Sequence, residues 1–230
     1  MFASLSGIIG KPEDKVAESL RNYALSVGGD LTGKDPGFEH DNFCAIEETN
    51  GNTTIIYPHG YLEWDQSSAF LSRELQTPVF SFHIHDGDLW MYILYVNGEA
   101  VDQFNPIPDY WDEDISSDEM ERWKGNASVL AHHIPALDQA TIEKYLTRWD
   151  LEAEASKAYE EDEYVNEDWQ LVDFMKKIGL SYPLEDFEHP RGRFYTLWTK
   201  QIRLQPSTKS ASSLPPIQKS DPQKPWWKFW

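Results

Sequence analysis

Val79-Phe80-Ser81-Phe82-His83-Ile84-His85-Asp86-Gly87-Asp88-Leu89-Trp90-Met91-Tyr92-Ile93-Leu94-Tyr95-Val96-Asn97-Gly98-Glu99-Ala100-Val101-Asp102-Gln103-Phe104 reads as three antiparallel strands in a row. The strands are 79–85, 89–96 and 99–104. Asp86-Gly87-Asp88 turns the chain once, and Asn97-Gly98 turns it again. Asn-Gly tolerates positive φ at both positions, which the type I′ hairpin turn requires. Leu89–Val96 is apolar at every position. A strand without a polar face is expected to be covered on both sides and to lie centrally.

The same signals extend outward. Phe43–Glu48 and Thr53–Tyr57 are β-rich runs around Asn50-Gly51 and form a second predicted hairpin. A helix is predicted over 12–27, with Pro12 in its first turn, Val16, Leu20, Tyr23 and Val27 on one face, and Gly28-Gly29 at its end. Another is predicted over 65–75, capped by Asp65 or Ser67, with Phe70, Leu71 and Leu75 inward. Downstream, Asn105-Pro106-Ile107-Pro108 ends the sheet and helices resume. Ser116 with Glu119 fits a capping box, Ala127–His133 fits a short helix, and Asp138 caps a third with Ile142, Tyr145, Leu146 and Trp149 inward. Residues 150–168 read as an acidic, solvated connection. Asn166 caps a last helix to Ile178 that buries Leu171, Val172, Met175 and Ile178 and stops at Gly179. Phe194–Thr199 reads as a late strand.

Segregated strands and helices predict an α+β fold. Its antiparallel sheet is built around the 79–105 meander, with helices packed on it. Residues 1–204 are expected to form one domain, within which 115–204 could stand as a helical subdomain. Residues 205–230 read as a disordered, basic C-terminal tail, since Pro206–Pro216 has no apolar period.

The 230 residues include 10 Trp, 11 Tyr and 11 Phe, enough apolar bulk for a core without staples. Cys44 is the single cysteine, so neither an internal disulfide nor a Cys-based zinc site is available. The first residues lack the pattern of a secretory signal, and no window offers the ~20 apolar residues of a membrane helix, so a cytoplasmic location is expected. Net charge is −19. Residues 1–199 carry 14 basic and 38 acidic side chains, whereas 200–230 carry six basic residues and only Asp221. So negative a body repels phosphate backbones and is not expected to bind nucleic acid directly. It suits a basic partner, although solubility alone would also explain it.

Three constellations could carry chemistry. His83 and His85 share a strand face, and Asp86 and Asp88 follow in the turn. Two imidazoles and a carboxylate can hold a divalent metal, the one cofactor worth considering, with His59, His132 or His133 as further ligands. The His-x-His-x-Asp-His run of metallo-β-lactamase-type hydrolases is not reproduced, because the Asp comes one position early and Leu89 follows Asp88. A polar strand face with an Asp-Gly turn explains the same residues without a metal. The second constellation is Tyr110-Trp111-Asp112-Glu113-Asp114, an aromatic pair in an acidic stretch running to Glu121. Aromatic rings beside carboxylates can recognise cationic groups, though acidic loops are more often solvated surface. Trp64 and Trp123 are candidate members of that surface, but such residues are more often core anchors, the expected role of Trp123, Trp149 and Trp169. The third constellation is Lys224-Pro225-Trp226-Trp227-Lys228-Phe229-Trp230. Such a segment can anchor on a partner, fold onto the acidic body, or make weak contact with an anionic membrane.

No nucleophile elbow or phosphate-binding glycine loop is present, and Cys44 reads as a packed small residue. The expected function is therefore a non-enzymatic protein-interaction role, adaptor- or immunity-like. It would use the acidic aromatic surface at Tyr110–Asp114 and the tail residues Lys224, Trp226, Trp227, Lys228, Phe229 and Trp230. The alternatives are a metal-dependent hydrolase at His83, His85, Asp86 and Asp88, and a peripheral membrane protein held by the tail.

Overall fold

Three Asx-Gly pairs fold the chain back on itself: Asn50-Gly51 (φ 52° and 79°), Asp86-Gly87 (51° and 82°) and Asn97-Gly98 (53° and 87°). Each holds positive φ at both residues, the left-handed geometry that matches strand twist. The structure is a computed structural model that describes residues 2–33, 43–87, 89–112, 114–135, 137–149, 170–185 and 189–200. Its strands are β1 (Ala3–Ile8), β2 (Asp30–Thr32), β3 (Phe43–Thr49), β4 (Asn52–Ile56), β5 (Val79–His85), β6 (Leu89–Val96), β7 (Glu99–Phe104), β8 (Leu184–Glu185), β9 (His189–Pro190) and β10 (Arg193–Trp198). Its helices are α1 (Glu13–Ser26), α2 (Trp64–Leu75), α3 (Ser117–Arg122), α4 (Ala127–His133), α5 (Gln139–Glu143) and α6 (Gln170–Lys177).

Eight strands form one sheet in the order β2-β10-β3-β4-β1-β5-β6-β7, and every neighbouring pair is antiparallel. β8 and β9 form a separate ribbon. The fold is α+β, and the meander is β5-β6-β7. Two features depart from the sequence reading. Residues Ala3–Ile8, which that reading leaves without an element, form β1 between β4 and β5. β6 is covered on both faces as expected, but it lies second from the sheet edge rather than centrally. Helices on both faces extend out to it, so burial does not require a central position.

Strand alternation divides the side chains between two faces. On one face Phe80, Phe82, Trp90 and Tyr92 gather around Phe174 of α6, with ring centroids 5.1–6.4 Å from it. Tyr145 joins them at 5.6 Å, and Trp90 Nε1 donates to the buried Gln170 Oε1 at 3.1 Å. Sequence periodicity picks out Leu171 and Met175 of this helix and Ile178 just beyond its end, all buried, but passes over Phe174, which is completely buried. Val172 is only half-buried.

The other face carries α1 and α2. Val16, Leu20 and Tyr23 of α1 are buried with Leu71 of α2 and Ile46 and Ile55 of the sheet. α2 presents serines to the sheet. Ser6 Oγ lies 2.7 Å from Tyr57 Oη and 2.6 Å from Ser68 Oγ, and Ser67 Oγ donates to Tyr57 Oη at 2.9 Å. These hydroxyls are buried and mutually satisfied, and their small size lets helix and sheet approach closely.

The helix ends differ in detail from expectation. Pro12 is the N-cap of α1 rather than its first residue, and Glu63 occupies the N-cap of α2 without a side-chain bond. Asp65 and Ser67, read as its caps, instead lie buried inside the helix. Ser116 and Asp138 do cap α3 and α5 through side-chain oxygens, and Asn126, which the sequence reading does not single out, caps α4 the same way. α5 ends at Glu143, yet Ile142, Tyr145 and Trp149 are buried as predicted. The acidic connection 150–168, Asn166, Trp169 and the tail 205–230 lie outside the described residues. Among the described residues no helix is long and apolar enough to cross a membrane.

Phe174→Ala removes the ring at the centre of one face. By the usual cost of emptying a core aromatic site, it should destabilise the protein by about 3–5 kcal/mol in urea denaturation. Val172→Ala, at the half-buried rim of the same helix, should lose clearly less.

Candidate functional site

β5 ends in His83-Ile84-His85. Ser81 and His83 lie on the α2 face, where Ser81 Oγ reaches the Trp64 carbonyl at 3.4 Å. His83 pairs with Ser4 across the β1–β5 register, and its Nδ1 lies 2.9 Å from Ser4 Oγ. Its ring stacks on Trp64 at 5.0 Å with a 10° interplanar angle. Trp64 is therefore a core residue, buried at the first turn of α2, and does not belong to the exposed aromatic surface considered for it. Trp123 is buried too. Although part of His83 reaches solvent, it is hemmed in by Trp64, Ser4 and the sheet. Burial first, and the neighbouring His85 second, lower its pKa from 6.5 to about 3. His83 is thus a neutral imidazole at physiological pH.

His85 is buried beneath an aromatic cluster. Phe2 stands edge-on to it at 4.9 Å, Trp111 edge-on at 4.8 Å, and Tyr110 at 5.8 Å. Tyr110 and Trp111 meet at 4.8 Å with a 70° interplanar angle, a favoured edge-to-face geometry. The structure thus joins two constellations that lie apart in sequence. Phe2, which precedes β1, completes them and was passed over at the level of sequence. Its only signal is a large aromatic residue before a run of small ones.

The loop that presents Tyr110 and Trp111 is well built. Asn105 is buried, and its Oδ1 accepts the Ile107 amide at 2.9 Å. Pro106, Ile107 and Pro108 are buried. The Tyr110 amide donates to the Ile107 carbonyl at 3.1 Å, and Asp112 Oδ1 accepts the Asp114 amide at 3.0 Å. Phe2 is 43% exposed and Tyr110 38%; the other large exposed apolar side chains among the described residues, Leu25 and Val101, lie on α1 and β7. Carboxylates neighbour the cluster along the chain: Asp86 follows His85, and Asp109, Asp112 and Asp114 surround Tyr110-Trp111, with Asp86, Asp112 and Asp114 exposed.

The metal constellation is assembled only in part. His83 and His85 lie 5.9 Å apart between ring centroids. Among the described residues, however, no group of three or more His, Cys, Asp or Glu is placed to hold an ion. Asp88 and Glu113 lie outside the described residues. His132 and His133 contact each other on α4 at 4.8 Å. Cys44 is buried, and burial pushes its thiol well up, so it is a packed residue rather than a nucleophile.

A separate cleft of about 480 Å³ opens between α6 and the β3–β4 turn, walled in part by Asn50, Lys176, Leu180, Tyr182 and Arg191. Arg191 donates to both Glu47 oxygens at 2.9 and 3.1 Å, to Ser181 Oγ at 2.7 Å and to the Tyr182 carbonyl at 2.6 Å. That guanidinium ties Ser181 and Tyr182 to Glu47 of β3, so its bonding is structural. The Phe2–His85–Tyr110–Trp111 surface is therefore the stronger candidate.

No family model matches the chain, and neither curated proteins nor solved structures include a match.

The His83 environment sets a pH dependence. Above about pH 6.5 the imidazole is neutral in both folded and unfolded chains. As pH falls from there towards 3, the unfolded chain takes up a proton that the folded chain refuses, so stability is lost across that window. The urea midpoint should fall between pH 6.5 and 5.5, and it should fall less steeply in His83→Gln. Equal slopes would show that His83 titrates alike in both states.

Proposed function

We propose that this chain is a non-enzymatic protein-interaction protein that docks a basic segment of a partner on the surface formed by Phe2, His85, Tyr110 and Trp111. The observation that carries the reading is the side-chain cluster itself: exposed Phe2 and Tyr110 each pack against one buried imidazole. Covering such rings gains about 25 cal/mol per Å² of apolar area removed from water. Tyr and Trp at the centre of a contact are the usual anchors of binding energy. A Lys or Arg placed over a ring adds about 0.5–2 kcal/mol, and Asp86, Asp109, Asp112 and Asp114 would draw that cation in. The balance of −24 over residues 1–199 speeds encounter with a basic partner and disfavours an acidic one.

Lys224–Trp230 supplies a second element in this reading, with its tryptophans as anchors. A metal-dependent hydrolase at His83 and His85 draws less support, because Ser4 engages Nδ1 of His83 and Trp64 stacks on the ring.

Affinity capture with the full chain tests the proposal when three baits are compared. These are wild type, Phe2→Ala/Tyr110→Ala, and a control at an isolated exposed position, Leu25→Ala. A partner rich in Lys or Arg should be retained by wild type and Leu25→Ala and reduced at least tenfold on the double variant. Identical capture by all three baits would overturn the reading. So would flotation of the chain with anionic phosphatidylserine vesicles, unaffected by the double variant, if no protein is captured; that outcome points to a membrane surface instead.

A further inference from the structure

We infer that Lys224–Trp230 is an intramolecular ligand of the Phe2–His85–Tyr110–Trp111 surface, so that the chain covers its own docking site until a partner displaces the segment. The inference rests on the function proposed above and names one occupant of that surface.

Chemical complementarity is the first argument. The segment alternates cations and rings: Lys224 precedes Trp226-Trp227, and Lys228 precedes Phe229-Trp230. The surface offers the matching groups, with exposed rings at Phe2 and Tyr110 and carboxylates at Asp86, Asp109, Asp112 and Asp114. A Lys ammonium has both a ring face and an acid to meet there. Each Trp can stack on the edge-to-face pair of Tyr110 and Trp111. Leu25 on α1 and Val101 on β7 are the other large exposed apolar side chains among the described residues. They lie on different elements, and neither offers a ring.

Charge distribution is the second argument. Basic residues outnumber acids six to one over 200–230, while residues 1–199 carry −24. The attraction between the two parts of the chain is therefore built into the sequence.

Reach is the third. Lys200 is the last described residue, so residues 201–223 link it to Lys224. Fully extended, that length spans about 76–83 Å at ~3.3–3.6 Å per residue. A body of ~200 residues has a radius of gyration of about 16 Å, so every point of its surface is within reach. A linker of this kind gives an effective concentration on the order of 1 mM. An intrinsic affinity as weak as ~0.1 mM would then leave the surface mostly covered in cis and weaken any competing ligand about tenfold.

The test titrates a fluorescein-labelled synthetic peptide, Lys-Pro-Trp-Trp-Lys-Phe-Trp, against three full-length proteins and reads anisotropy at low salt. The first is wild type. The second carries Trp226→Ala, Trp227→Ala, Phe229→Ala and Trp230→Ala. The third adds Phe2→Ala and Tyr110→Ala to those four, and its thermal unfolding is checked against the second. The peptide should bind the second protein about tenfold more tightly than wild type, and should bind the third at least tenfold more weakly than the second. Raising the salt to 0.5 M should narrow the difference between the first two. Equal affinity for wild type and the four-residue variant, with loss on the third, would overturn cis occupancy while leaving the surface a docking site. Equal affinity for the second and third proteins would overturn the inference by showing that the segment does not use this surface. A peptide that binds none of the three would overturn it as well, and the surface would then stand or fall on the capture experiment.

Discussion

The whole sheet depends on one short strand of mostly small residues. β1 pairs with β4 through Leu5–Ile8 and with β5 through Ala3–Ile8. Without it the other seven strands separate into β2-β10-β3-β4 and the β5-β6-β7 meander. Leu5 and Ile8 are completely buried, one in the core on each face, and backbone bonds on both edges hold the strand together with what its small side chains allow. A Cβ built on Gly7 would come within 2.2 Å of Leu180 Cδ1, so that position admits the chain after α6. On the opposite face Ser6 shares hydrogen bonds with Tyr57 and Ser68, and Thr77 donates to the Ile9 carbonyl at 2.5 Å. Buried hydroxyls of this kind stabilise only when each finds a partner, and here they do.

The same strand places the functional surface. Phe2 immediately precedes β1, and the register that sets Ser4 opposite His83 also brings Phe2 against the ring of His85. From the far end of the meander, the proline-rich turn after β7 returns Tyr110 and Trp111 to that ring. His85 is thus the hub of three segments from different parts of the chain, and the surface exists only when the sheet is complete. Fold and binding surface share one structural condition, the insertion of β1.

Much of the architecture was legible in the sequence where local chemistry is strong. The meander boundaries, the Asn-Gly turns, and the caps at Ser116 and Asp138 follow from residue types that admit few alternatives. β1 was not legible, because Ala3-Ser4-Leu5-Ser6-Gly7-Ile8 has a single β-branched residue and no aromatic one. Phe174 was missed for a different reason. Helical spacing identifies a buried stripe but does not say which of its residues the sheet will surround with rings. The members of the candidate site were visible one constellation at a time. That His85 and Tyr110-Trp111 share a surface with Phe2 is a non-local fact, set by strand order and beyond any spacing rule.

Native-state hydrogen exchange of the backbone amides bears most directly on the central claim that β1 is the interior strand uniting the sheet. The amides of Leu5, Ser6, Gly7 and Ile8 should belong to the slowest-exchanging class and open together with those of β4 and β5. If they exchanged at the rate of exposed positions such as Asp112 while Phe80–Ile84 stayed protected, β1 would not be part of the sheet, and the surface built on Phe2 would fall with it.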